Sequence, residues 1–428
     1  MLLNFSVSNF GSFNEKVTFS LFPGKISKQH KNHVLENKPF NALKGAAIYG
    51  ANASGKSNFV HALLALYTCV MSDNTKFILA HQFKLAKDLV TTEFEVYFQI
   101  NESAYRYNLI TNGVEIPFEQ FSILQKNGKI KPLFTRKFSE IELNSLLNKS
   151  EHWYKNRTFQ SATTFLFKLR QDGIEENAAK ISGSSHIINA LRFFEMLVIT
   201  SPKSLVNPVA FGMFFNQQDF QNFLKRLLKV ADLGISDIKW VPLSKDETEK
   251  YYKMALASEQ NQNYGTLFSM SSEGDMIAIN VGPGEKKGIA LRTIHNGISF
   301  RIEEESDGTK RLIDLALSFY LLRDSNTCLV IDELDCRLHP FLSKFLIQEH
   351  MENNKNKGQL IVTLHDLNLM SNEIWRTDEI WFTEKRQDGS SDLYSLYQFT
   401  PRFDKDLQKG YMQGKYGAIP MIGVFNNE

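Results

Sequence analysis

The residues Gly50-Ala51-Asn52-Ala53-Ser54-Gly55-Lys56-Ser57 fit the pattern G-x-x-x-x-G-K-[ST] at every fixed position. Glycines allow such a turn to aim backbone N–H groups and a helix N-terminus at one spot, which suits a polyanion. Gly50, Asn52, Ala53, Ser54 and Gly55 are therefore candidate nucleotide contacts. Lys56 reaches for β- and γ-phosphates, and the Ser57 hydroxyl completes the coordination of Mg²⁺. The bland alternative is a chance loop. It is disfavoured because Ala46-Ala47-Ile48-Tyr49 reads as a buried strand leading in. Leading out, Asn58 to Leu66 reads as a helix with Phe59, Leu63 and Leu66 on one face.

A second cluster lies at Cys328-Leu-Val-Ile-Asp-Glu-Leu-Asp-Cys-Arg-Leu-His-Pro340. Four apolar residues followed by Asp332-Glu333 describe a buried parallel strand ending in two carboxylates, where open α/β sheets bind ligands. Asp332 is the candidate magnesium ligand, through water, and Glu333 the candidate general base that polarises the attacking water. Alone, the pair would read as a solvated acidic turn; beside a phosphate loop it reads as chemistry. Upstream, Glu305-Ser306-Asp307-Gly308 opens a helix whose apolar positions are Leu312, Leu315, Ala316, Phe319 and Leu322. Ser306, Gly308 and free N–H groups there make a second candidate anion site. Downstream, Leu360-Ile-Val-Thr-Leu364 is another buried strand, ending at His365, which can touch a γ-phosphate; a lone histidine there is otherwise structural.

The elements that position these groups follow from periodicity. Leu2 to Phe10 and Val17 to Phe22 read as strands, and Pro23 to Asn41 as a polar loop in which His30 and His33 face solvent. Glu93 to Ile100, Ala104 to Ile110 and Glu119 to Lys126, separated by turns, form an antiparallel sheet. From Ser139 to Ala231 the spacing becomes helical, with Ile187, Leu191, Phe194 and Leu197 in one series and Phe220, Phe223, Leu224, Leu227 and Leu228 in another. Ser201-Pro202 and Asn207-Pro208 interrupt it as turn formers, so no coiled-coil arm exists. Strand patterns return at Asp237 to Val241 and Thr266 to Phe300, with a turn at Gly282-Pro283-Gly284. The expected class is α/β, with central parallel strands, an antiparallel N-terminal sheet and a helical insert. Residues 1–135 and 236–428 are the expected halves of one nucleotide-binding head, and residues 136–235 the inserted lobe.

A chain of 428 residues exceeds what one core usually serves. Hydrophobic content of 43%, charged content of 22% and a net charge of +2 describe a soluble globular protein without an overall basic field. Cys69, Cys328 and Cys336 lack zinc or disulfide spacing. The N-terminus has no basic leader and no apolar stretch is long enough to span a bilayer, so the expected location is the cytoplasm, away from membranes.

The order of phosphate loop, large insert, Ser-x-Gly helix, Asp-Glu strand, Asp335 and His365 resembles the ATP-binding-cassette (ABC) class of ATPases. It is most similar to short-armed members related to the SMC and OLD (overcoming lysogenization defect) proteins. Phe5-Ser-Val-Ser-Asn-Phe-Gly-Ser-Phe13 looks like their first strand. Ser306-Asp307-Gly308 matches their signature, with Asp where the ABC consensus has Gly. Asp335 matches the D-loop aspartate and His365 the switch histidine. Gly410-Tyr-Met-Gln-Gly-Lys-Tyr-Gly-Ala-Ile-Pro420 looks like the closing motif of stand-alone ATPases from anti-phage and abortive-infection systems, such as PARIS-, Septu- or AbiL-like pairs. The likeness covers residues 1–70 and 300–420.

The resemblance implies ATP and Mg²⁺ as cofactors and a slow ATPase whose nucleotide is sandwiched between two heads. Lys56 and Ser57 of one chain would hold it, while Ser306 and Gly308 of a second chain cap its γ-phosphate. It also implies a homodimer or higher homo-oligomer, a phage protein as trigger and a separate nuclease effector, TOPRIM ahead of HNH. Gln82 and Gln99 both qualify for the glutamine loop, and neither is assigned. Two other readings stand beside this one. A DNA-transaction ATPase gripping duplex DNA would show a steep salt dependence. A transporter ATPase subunit fits least, because the insert is too large and no coupling sequence is evident.

Overall fold

The computed structural model describes residues 1–25, 30–86, 91–155, 160–202, 207–231, 233–258, 265–270, 275–282, 285–323, 327–400 and 406–420. Three neighbouring strands set the architecture. Cys328–Ile331, Gln359–Thr363 and Gly45–Tyr49 are buried at every residue and run parallel. They form the middle of a six-stranded sheet, with Leu197–Thr200 on one side and Ile380–Lys385 then Ser391–Ser395 on the other. Only Ser391–Ser395 pairs antiparallel. A seven-stranded antiparallel sheet runs in the order Glu140–Leu143, Ile130–Lys137, Phe118–Leu124, Ser103–Thr111, Thr92–Ile100, Leu2–Ser8, Val17–Ser20. The α/β class and its mixed sheets are as the sequence patterns imply.

The helix Lys56–Met71 is buried around most of its circumference, at Phe59, Val60, Ala62, Leu63, Ala65, Leu66, Cys69 and Val70. Such all-round apolarity is what a helix between two layers needs. Phe59 meets Phe5 and Phe19 of the antiparallel sheet at ring distances of 5.8 and 4.9 Å, and Phe19 meets Trp381 of the parallel sheet at 4.9 Å. Lys44, just before the loop strand, is buried and donates to the carbonyls of Met351 and Asn353 at 3.1 and 2.9 Å. It thereby caps the C-terminal end of the helix Pro340–Glu352.

The chain divides into two compact units, residues 1–202, 322–335 and 344–428 forming the first and residues 203–321 and 336–343 the second. This differs from an insert at 136–235. Residues of the helices Ser145–Asn148, Phe165–Gln171 and Ser184–Glu195 belong to the first unit's core, through Leu147, Phe165, Leu166, Ile187, Leu191 and Phe194. Leu197, which continues a helical spacing in sequence, instead opens the edge strand Leu197–Thr200, because pairing with Cys328–Ile331 overrides local periodicity. Asn207-Pro208 starts a helix rather than interrupting one: Asn207 accepts from the N–H groups of Val209 and Ala210, and Pro208 takes the first turn.

The second unit carries a four-stranded antiparallel path, Asp237–Pro242, Glu285–His295, Met276–Gly282 and Gly265–Met270, with Ile298–Arg301 added to Glu285–His295. It is not purely helical. Pro283 and Gly284, the expected turn, lie outside the described residues. The helices Gln218–Val230 and Asp307–Leu321 pack within this unit, Phe220 and Phe223 meeting Tyr320 at 5.2 and 5.6 Å. No helix among the described residues is long and apolar enough to cross a membrane.

His33 does not face solvent. It is buried, and its Nδ1 lies 3.0 Å from Glu379 Oε2. The polar composition of its loop conceals a tertiary contact with the turn before Ile380–Lys385. His350, on the helix Pro340–Glu352, is also buried. Desolvation, with Lys44 and His33 adding repulsion, pushes its pKa from the ordinary 6.5 down to about 3. The native imidazole thus stays neutral where the unfolded one takes a proton. Stability from this group is complete above about pH 6.5 and is lost as pH falls toward 3, by up to about 1.4 kcal/mol per pH unit. His350→Leu should flatten the decline in thermal midpoint between pH 7 and pH 5 relative to the unaltered chain; parallel curves would refute the assignment.

Candidate functional site

Parallel strands that are buried throughout can expose polar chemistry only at their ends, and here the ends coincide. Gly45–Tyr49 runs into Gly50–Ser57, Cys328–Ile331 into Asp332-Glu333, and Gln359–Thr363 into Leu364-His365. The first unit thus brings together the loop, Asp332, Glu333, Asp335 and His365. Ser306 and Gly308 belong to the second unit.

In the loop, a Cβ on Gly50 would lie 2.4 Å from the Thr383 carbonyl oxygen, and one on Gly55, at φ 120°, 2.9 Å from Ser12 Oγ. Both positions need glycine for close approach as well as for conformation. Ala53 takes a left-handed φ of 59°, and Asn52 and Ala53 are exposed. Ser54 Oγ lies 2.6 Å from Thr383 Oγ1, tying the loop to the adjacent strand Ile380–Lys385. Lys56 is buried, and its Nζ donates to the Gly50 and Ala51 carbonyls at 2.7 and 3.1 Å. Burial lowers its pKa, while the charges of Asp332, Glu333 and Asp335 oppose the shift.

Thr363 organises the acidic pair, a role the sequence did not signal beyond a polar residue in an apolar strand. Its hydroxyl donates to Asp332 Oδ1 at 2.6 Å and accepts from the Glu333 N–H at 2.7 Å. Glu333 turns out of the strand with φ 49°, a conformation that costs a non-glycine residue energy. Its carboxylate lies 3.6 Å from His365 Nε2, and both side chains remain open to solvent at 36% and 40%. Asp335 Oδ2 accepts from the N–H groups of His365 and Asp366 at 2.7 and 2.6 Å, so this aspartate fixes the histidine's backbone.

Ser306, exposed, accepts from the Thr309 N–H at 3.1 Å and so caps the helix Asp307–Leu321. Gly308 lets the backbone of Arg337 approach: a Cβ would lie 3.0 Å from its carbonyl oxygen. Of the glutamines, Gln99 is buried in the antiparallel sheet and accepts from the Phe40 N–H at 3.1 Å, while Gln82 reaches the Asn112 carbonyl at 3.5 Å.

The residues fit a magnesium-bound nucleotide by donor chemistry. Lys56 has no carboxylate within 4.0 Å among the described residues, and its ammonium rests on two carbonyls that a phosphate can replace. Ser57 and Asp332 offer hard oxygen donors, which suit Mg²⁺.

A family model described as "AAA domain, putative AbiEii toxin, Type IV TA system" matches residues 46–371. No curated protein matches the chain. Among solved structures, the SMC head domain from Thermotoga maritima is 15% identical at a TM-score of 0.41, covering 92% of this chain and 98% of that one. The SMC head with a coiled coil and joint from Pyrococcus yayanosii is 13% identical at 0.40, covering 97% and 99%. An SMC head bound to the C-terminal winged-helix domain of ScpA is 16% identical at 0.41, covering 92% and 97%.

Thr363→Val keeps the volume but leaves a part-buried N–H and a buried carboxylate oxygen without their shared partner. Urea unfolding should show a loss of about 1–3 kcal/mol; a change within about 0.5 kcal/mol, the range of a neutral surface substitution, would overturn this role.

Proposed function

The chain belongs to the AAA-domain family whose model it matches over residues 46–371, and from that premise we propose that it binds and hydrolyses ATP to control an assembly. The observation that carries the reading is the shared edge: a lysine resting on loop carbonyls and an Asp–Glu pair at the ends of two parallel strands that flank Gln359–Thr363. In this reading the loop amides and the N-terminus of Lys56–Met71 take the phosphates. Lys56 exchanges the carbonyls of Gly50 and Ala51 for phosphate oxygens. Mg²⁺, when bound by Ser57 and Asp332, supplies charge neutralisation at the phosphates. Glu333, solvent-accessible and turned out of its strand, accepts a proton from the attacking water. His365 lies beside it, its backbone fixed by Asp335.

Ser306 and Gly308 serve in trans in this proposal: the helix start they form in one chain caps the γ-phosphate held by another. ATP then joins two copies, and hydrolysis releases them. The family description names a putative AbiEii toxin and a type IV TA system. That setting supports a defence role in which the assembly senses a phage trigger and holds or releases a separate nuclease, of the TOPRIM class ahead of HNH.

Lys56→Ala should weaken ATP binding by about two orders of magnitude in calorimetry, the worth of one or two charge-assisted hydrogen bonds; unchanged affinity would exclude the site. Glu333→Gln should retain ATP, lose hydrolysis and shift to dimers in size-exclusion chromatography with light scattering. A variant that stays monomeric at saturating ATP would refute the sandwich.

A further inference from the structure

One peptide group in the phosphate loop is held from both ends. The Gly50 carbonyl accepts from Lys56 Nζ at 2.7 Å, and the N–H of the same peptide, belonging to Ala51, donates to the Ala418 carbonyl at 3.2 Å. Ala418 lies in Gly410–Pro420, far away in sequence. The proposed ATPase chemistry assigns this stretch nothing.

The stretch is fixed at its other side by Glu384, the fifth residue of the strand Ile380–Lys385 next to the loop strand. Glu384 Oε1 accepts from the Ala418 N–H at 2.9 Å, and Oε2 lies 2.9 Å from the Tyr394 hydroxyl, which is equally close to the Tyr416 carbonyl. Tyr411 donates its hydroxyl to the Ala418 carbonyl at 2.6 Å. The backbone conforms to this arrangement at some cost: Gly417 has φ 70° and Ala418 φ 57°. A Cβ on Gly417 would lie 2.6 Å from the Tyr394 hydroxyl oxygen. The ring of Phe382 stacks on those of Tyr411 and Tyr416 at 5.5 and 6.1 Å. Glu384, Ala418 and Ala51 thus form a continuous hydrogen-bonded strap from a rigid strand to the loop.

We propose that Glu384 is a positioning residue for the phosphate loop, acting through Ala418 to fix the orientation of the Gly50–Ala51 peptide. A glycine-flanked peptide flips readily, and Lys56 stabilises its carbonyl direction only while the lysine is there. When Lys56 moves to a phosphate, the bond to Ala418 still opposes the flip. The strap thereby keeps the Gly50 carbonyl aimed at the lysine and separates lysine release from loop rearrangement. The consequence for affinity rests on the nucleotide-binding reading; the consequence for the loop backbone does not.

The test uses the full chain with Glu384→Ala, Glu384→Gln and Tyr411→Phe, read by amide hydrogen exchange of a peptide spanning residues 46–58 without nucleotide and by ATP calorimetry. Glu384→Ala should speed exchange at the start of the loop and weaken ATP binding about five- to tenfold, the worth of roughly one hydrogen bond. Glu384→Gln keeps an acceptor for the Ala418 N–H and should restore most of both. Tyr411→Phe, which leaves Glu384 intact, should give a smaller change of the same sign and serves if Glu384→Ala does not fold. Unaltered exchange across the loop in Glu384→Ala and Tyr411→Phe overturns the strap. Faster exchange in a chain that binds no ATP even unaltered supports the strap and rejects the nucleotide reading instead.

Discussion

Three adjoining strands without an exposed residue impose the constraint from which the site follows. Their backbone groups are satisfied by one another and by the flanking strands, and most of their side chains enter apolar layers, so exposed polar function can begin only where the strands stop. Because they run parallel, they stop on one edge. The phosphate loop, the Asp–Glu pair and the histidine are neighbours for that reason, although long stretches of chain separate them in sequence. The helix Lys56–Met71, packed between the two sheets, holds its N-terminus at that edge by apolar contacts together with the Lys56 and Asn58 hydrogen bonds.

The convergence of the candidate groups was legible because each follows a recognisable pattern: a glycine-framed Lys-Ser, and carboxylates or a histidine directly after an apolar run. The antiparallel runs were legible from their alternation. What stayed hidden depended on tertiary pairing. Leu197 keeps a helical spacing with Phe194, yet a vacant edge beside Cys328–Ile331 recruits it as a strand. His33 sits among polar residues, and nothing local announces Glu379 as its partner. The division at residue 202 was equally silent, since apolar helices look alike whether they cover a distant sheet or one another.

Thr363 and Glu384 show the same limit within the site. Each is a polar residue within a strand, and each matters through what it joins: the threonine links carboxylate and backbone of the acidic pair, and the glutamate holds the late glycine-rich segment whose Ala418 carbonyl accepts from the loop. The resemblance to stand-alone ATPases singled out that segment as a motif without giving it work. Two of its three glycines are explained by crowding, since Gly410 and Gly417 lie against tyrosine hydroxyls.

The left-handed backbone at Glu333 sets folding against the proposed chemistry at a single position. A glycine there would relieve about 1–2 kcal/mol of steric cost, and asparagine part of it. Variants enriched for robustness alone would therefore drift away from glutamate at 333, while those enriched for turnover would keep it. A catalogue of tolerated residues at this position would separate the two pressures, recording how much stability the chain forgoes to hold a carboxylate at that turn.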